Sequence, residues 1–90
     1  MADDESKPQL EYPCAYPIKV MGLDENDFAA HVVAIVRRHD AELRDEHISY
    51  RSSSNGKYLS VRVTITATGP AHIQALFEEL KASGRVAMVL

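Results

Sequence analysis

Hydrophobic and polar positions alternate or recur with helical spacing in six segments of the chain. Tyr16, Ile18 and Val20 alternate with Pro17, Lys19 and Met21, which predicts a first strand with Pro17 near its start. Gly22 is expected to end this strand. Asp24 is expected to cap a helix, with Asp27 at the capping-box position and Glu25 adding charge near the positive helix end. Phe28, Val32, Ile35, Val36 and His39 then recur at three- and four-residue spacing, predicting an amphipathic helix that ends near Asp40. Residues 40–46 read as a polar connection.

His47 to Ser53 alternates, with Ile48, Tyr50 and Ser52 on one face. Ser54-Asn55-Gly56 is a turn, because Asn-Gly readily supplies positive φ. From Lys57 to Ala67 the alternation is clearest. Leu59, Val61, Val63, Ile65 and Ala67 share one face, and Tyr58, Ser60, Arg62, Thr64 and Thr66 the other. These two segments predict a β-hairpin. Pro70 suits a first helical position, Ile73, Leu76, Phe77 and Leu80 form the apolar stripe of a second helix, and Gly84 stops it. Arg85 to Leu90 is expected to be a last strand with Val86, Met88 and Leu90 inward. The order β-α-β-β-α-β predicts an α+β ferredoxin-like two-layer sandwich, a four-stranded antiparallel sheet with both helices on one face. Right-handed crossovers place strands one and three in the middle.

Composition narrows this further. A chain of 90 residues, 46% hydrophobic and 26% charged, fits one soluble two-layer domain. No cofactor in an interdomain cleft is expected. Residues 1–11 are polar and acidic and read as a disordered tail, leaving residues 12–90 as the domain. Cys14 is the single cysteine. It is expected to precede the first strand, and it forms no disulfide or four-thiolate metal site within one chain. The start has no secretory pattern, and no apolar run approaches the ~20 residues of a membrane span. A cytoplasmic location without membrane association is expected.

Several segments resemble one family in order along the chain. They are Tyr16-Pro17-Ile18-Lys19-Val20-Met21-Gly22, Val32 to His39, Ser53-Ser54-Asn55-Gly56-Lys57-Tyr58, Ser60 to Thr68, Phe77-Glu78-Glu79-Leu80 and Val86 to Leu90. Over residues 12–90 the sequence resembles the YbeD family of small bacterial proteins of unknown function. The resemblance implies the same βαββαβ fold and a likeness to ACT-like regulatory domains. It makes a link to lipoate metabolism conceivable and supplies no catalytic residues.

In ACT domains the loop after the first strand holds a small amino acid, which here points to Gly22, Leu23 and Asp24. A turn at Gly22 and a helix cap at Asp24 account better for the same residues, because the loop's carboxylates would repel an anionic ligand and the loop lacks the Pro-Gly that ACT sequences commonly carry after the acidic residue. Asp27 and His31 are one helical turn apart, yet Arg38 on the same ridge would repel a cation, so no metal site is expected. Cap and surface roles account for His31, His39, His47 and His72. Acylphosphatases share the fold but need a basic phosphate cradle where this chain is acidic. Ser52, Ser53 and Ser54 lack a positioned His-Asp pair. RNA binding by this fold uses sheet aromatics, of which the open face offers only Tyr58. Neither enzymatic activity nor nucleic-acid binding is expected.

The four acids of residues 1–11 against Lys7 account for the whole net charge of -3. The segments read as strands and hairpin carry Lys19, Arg51, Lys57, Arg62 and Arg85 and no acid, whereas the helices and their flanks carry nine acids. The face opposite the helices is expected to present Lys19, Tyr58, Arg62, Thr64 and Arg85 among Met21, Ala87 and Val89. That is either an ordinary solvated sheet face or a recognition surface, since Arg and apolar atoms are favoured at interfaces. The expectation is a non-enzymatic binding or regulatory module that recognises a protein partner, or itself, through its sheet face or an edge strand. An ACT-like small-ligand sensor of an amino acid or lipoate-related compound, using the loop from Gly22 to Asp27 after the first strand, is the alternative.

Overall fold

Strand alternation and helical stripes assemble around one shared set of apolar side chains. The computed structural model describes residues 11–90; of the expected acidic tail, residues 1–10 lie outside the described residues. The elements are β1 (Cys14–Leu23), α1 (Phe28–His39), β2 (Ile48–Ser52), β3 (Tyr58–Ala67), α2 (Pro70–Ala82) and β4 (Met88–Val89). A single 3-10 turn, Asp45–His47, precedes β2. The sheet is antiparallel in the order β2-β3-β1-β4. The predicted ferredoxin-like architecture, with strands one and three central, is what forms.

β1 and β3 pair along their full lengths, from Cys14 opposite Ala67 to Leu23 opposite Tyr58. Ile18 and Val20 of β1 and the five alternate apolar residues of β3 are buried, as are Phe28, Val32, Ile35 and Val36 of α1 and Leu76 and Leu80 of α2. Each buried Val, Leu, Ile or Phe among them contributes roughly 1.5–3 kcal/mol on burial. Leu43 is also buried and pins the otherwise polar connection after α1. Asp40 fixes the end of that helix to the sheet, its carboxylate accepting the Thr66 N–H at 3.0 Å and the Glu42 N–H at 3.2 Å. No helix among the described residues is long and apolar enough to cross a membrane.

Four details differ from the sequence expectations. Cys14 opens β1 instead of preceding it. Gly22 lies buried inside β1 and does not end it. A Cβ at Gly22 would stand 2.5 Å from the Phe28 ring and 2.6 Å from the Arg85 carbonyl oxygen, so this glycine serves close packing. The residue capping α1 is Asp27, not Asp24, and its side chain makes no capping bond. The connecting loop turns through left-handed φ values of 52° at Asn26 and 56° at Asp27, which displaces the helix start. Finally, β4 has the opposite phase. Val89 pairs with buried Val20 and packs on the core, whereas Met88 and Leu90 are exposed. Residues 86–90 are apolar throughout, so alternation alone could not choose a face, and register with Val20 does.

Candidate functional site

The two-residue period of β1 and β3 that buries one face sends Lys19, Met21, Leu23, Tyr58, Arg62 and Thr64 to the other. In register, Lys19 lies directly opposite Arg62, Met21 opposite Ser60, Pro17 opposite Thr64 and Leu23 opposite Tyr58. β2 adds Ser49 beside Arg62 and Arg51 beside Ser60. On the other flank the Leu90 N–H donates to the Lys19 carbonyl at 2.9 Å and the Lys19 N–H to the Leu90 carbonyl at 3.1 Å, seating Leu90 next to Lys19. A shallow concavity runs over this centre, bordered by Pro17, His47, Thr64 and Leu90, with Glu46 at its rim.

The electrostatics of this face are unusual. Ion pairs among the described residues join Arg37 to Asp45, Arg38 and His39 to Glu79, and Arg44 to Glu46. Lys19, Arg51 and Arg62 take part in none of these. Two like charges directly opposite on paired strands destabilise a sheet. The central row, Ser49-Arg62-Lys19-Leu90, therefore sets two positive charges side by side among small polar and apolar neighbours, with neither in an ion pair among the described residues and Glu46 at the rim of the same concavity.

Arg85 does not belong to this face. Its Nη2 donates to the carbonyl oxygens of Glu25 and of Asn26, the latter at 2.8 Å, and its guanidinium stands 5.9 Å from the centre of the Phe28 ring. β4 begins only at Met88, so residue 85 falls in the connection from α2 and reaches back over the helix side. Val89, expected outward, faces the core for the phase reason given above. Tyr58 stays on the open face at its hairpin end, with the Lys57 ammonium 5.7 Å from its ring. It lies four residues from Arg62, roughly 13 Å along the strand.

Gly22, Leu23 and Asp24 are not brought together. Gly22 points to the core, Leu23 to the open face opposite Tyr58, and the Asp24 N–H donates to the Lys57 carbonyl at 2.9 Å. Arg51, Met88 and Leu90 join the face although sequence reasoning did not place them in the site. The alternation of Ile48, Tyr50 and Ser52 already put Arg51 opposite them. Leu90 was hidden by the uniform apolarity of the last segment.

A polar cluster sits apart, where the end of α1 meets α2. The Thr68 N–H donates to His72 Nδ1 at 3.1 Å, which leaves His72 Nε2–H to donate to the His39 carbonyl at 2.6 Å. His39 Nε2–H donates to Glu79 Oε1 at 2.6 Å, and Arg38 bonds the other Glu79 oxygen. Burial pushes the His39 pKa below its ordinary value, and the His72 ring and Arg38 add to this. Burial likewise lowers His31, helped by Arg85 and Arg38, and the buried Nε2 of His31 has no hydrogen-bond partner among the described residues. No group of three or more His, Cys, Asp or Glu among the described residues is arranged to hold a metal.

Both depressed histidines favour the neutral ring in the fold, while the unfolded chain takes up protons near pH 6.5. The unfolded state therefore binds more protons as pH falls, and stability present above pH 6.5 is lost below it. The melting temperature is expected to decline between pH 7.5 and about 5.5, and to decline less when His31 and His39 are both replaced by Gln. A flat profile in the unsubstituted chain would contradict this.

Comparison with known proteins follows the same outline. A family model described as "Protein of unknown function (DUF493)" matches residues 7–90. A UPF0250 protein of Azotobacter vinelandii is 47% identical over 88 residues, covering 97% of this chain and 96% of its own. A UPF0250 protein of Hahella chejuensis is 45% identical over 91 residues, with both chains fully covered. Among solved structures, protein HP0495 from H. pylori matches with TM-score 0.73 at 17% identity, over 100% of this chain and 94% of its own. The ACT domain from the GTP pyrophosphokinase of Chlorobium tepidum matches with TM-score 0.67 at 15% identity, over 86% of this chain and 97% of its own. At those identities the structural likeness speaks for the fold alone. The full-length sequence matches go further: this chain belongs to the DUF493 family of proteins of unknown function, the UPF0250 (YbeD) proteins.

Proposed function

We propose that the chain is a non-enzymatic binding module that recognises an acidic protein segment through the open face of its sheet. The observation that carries this reading is the opposition of Lys19 and Arg62 on the two central strands. An uncompensated like-charge pair lowers the stability of the free fold and is relieved when carboxylates lie across it. Met21, Met88 and Leu90 beside it supply apolar contact, the mixture favoured where proteins meet.

A small-molecule sensor at the loop after β1 has less in its favour. The space beside Gly22 is filled by Phe28 and the Arg85 carbonyl, and two of the loop's own carbonyls are taken by the Arg85 guanidinium. A thermal-shift series with amino acids and lipoyl compounds separates the readings, since a shift there that survives Arg62→Glu would favour the sensor.

A deca-glutamate peptide titrated into the labelled protein tests the sheet-face reading directly. Amide shifts are expected on the rows around Lys19 and Arg62, weakening as salt rises. Replacing both residues by Glu is expected to reduce affinity at least tenfold with the fold intact. Shifts elsewhere, or affinity indifferent to the double reversal, would refute it.

A further inference from the structure

The outer strand β2 is built differently from the other edge of the sheet. β4 has two residues, whereas β2 has five. In the hairpin the Ser53 N–H donates to the Tyr58 carbonyl at 2.8 Å. Hydrogen-bonded pairs alternate along an antiparallel ladder, so Arg51 and Ser49 bond inward to β3, while the main chains of Tyr50 and Ser52 face away from the sheet. An edge of this kind is a template for one more strand.

Its two faces differ in chemistry. Tyr50 lies in register with Val61, yet Val61 is 0% exposed and Tyr50 is 55% exposed. The helices therefore cover the centre of the sheet and stop short of β2. The uncovered strip is a groove between β2 and α1, with Ala29, Val33, Ile48 and Tyr50 along it, the Arg37–Asp45 pair at its side and the acidic loop residues Asp24, Glu25 and Asp27 at its end. On the opposite face Arg51 is outermost, and Arg62 lies one strand further in behind the small side chain of Ser49.

We infer that a partner protein supplies an extended segment of alternating acidic and apolar residues, which adds as a fifth strand to the edge of β2 that is unpaired among the described residues. This rests on the sheet-face reading above and specifies how the acidic segment is held. A residue paired with Tyr50 bonds its main chain and turns its side chain into the groove, against Val33, Ile48 and Tyr50 and away from the acidic loop at the groove's end. The residues on either side of it lie opposite Ser49 and Arg51 and turn their carboxylates to the basic face. One is then a single strand spacing of about 4.8 Å from Arg51, and the other two spacings from Arg62. Main-chain bonds give such an addition its affinity, and alternate side chains give it selectivity.

The test uses two synthetic heptapeptides of equal composition, one with the order Glu-Val-Glu-Phe-Glu-Val-Glu and one with its four Glu residues in a block. The alternating peptide is expected to bind at least tenfold more tightly than the block peptide and to slow solvent exchange of the Tyr50 and Ser52 amides. Arg51→Glu is expected to weaken it about tenfold, and Tyr50→Pro, tolerable on an edge strand, to abolish it. Equal binding of both peptides, lost together in Arg62→Glu, would overturn strand addition and leave the sheet-face reading standing. Absence of binding by either peptide at millimolar concentration would overturn both. Protection of Tyr50 and Ser52 in the free protein, together with a dimer mass, would assign the edge to a second copy and overturn the inference as well.

Discussion

Phe28→Ala is expected to lower the unfolding free energy by about 3–5 kcal/mol. The ring is 1% exposed and stands at the first residue of α1. It fills the space left by Gly22 on one side and carries the Arg85 guanidinium on the other. Its loss opens a cavity and removes the surface on which Arg85 rests while bonding the Glu25 and Asn26 carbonyls. The loop between β1 and α1 holds two non-glycine residues at positive φ, so it depends on these outside supports. Small domains have only about 5–15 kcal/mol to lose. Urea unfolding checks this through a reduced midpoint at unchanged slope. A cost below about 1 kcal/mol would show that the ring does not pin the loop.

Gly22→Ala is expected to cost about 3 kcal/mol, the upper end of what an inserted methyl group costs in a packed core. Two of the atoms it would meet belong to a ring that can tilt, but the third is the main-chain oxygen of Arg85. The two substitutions meet in one space and are not additive. With Phe28 already truncated, Gly22→Ala is expected to cost at least ~1 kcal/mol less than in the native background, a coupling that a double-mutant cycle reads directly. Independent effects would mean that the close approach at Gly22 is relieved by movement of β1 instead.

The architecture was legible because strong periodicities agreed with one another. β3 alternates without interruption from Leu59 to Ala67, and α1 and α2 present unbroken apolar stripes, so the core follows from period alone. The errors cluster where local pattern is degenerate or overridden. Gly22 carries a turn signal, yet tertiary packing of Phe28 and Arg85 gives it another purpose. Asp24 is a good cap by composition, but the loop's left-handed residues move the helix start to the far side of Asp27. The last segment is apolar at every position from Val86, so its phase was set by a long-range partner, Val20. That same phase removed Val89 from the open face, and the late start of β4 at Met88 removed Arg85. Lys19, Tyr58, Arg62 and Thr64 were placed on it by the alternation of β1 and β3, which does not depend on β4. The opposition of Lys19 and Arg62 was out of reach before pairing was known, because it is a property of register between strands 43 residues apart in the sequence.

The central claim is that the sheet face gives up stability for recognition, and Arg62→Gln separates the two most directly. Gln keeps much of the side-chain volume and removes the charge facing Lys19. Relief of the like-charge contact is expected to raise the unfolding free energy by roughly 0.5 kcal/mol, a rise of a few degrees in melting temperature. The same variant is expected to lose affinity for the deca-glutamate peptide several-fold. A variant that is less stable than the native chain and binds the peptide as well would contradict the account.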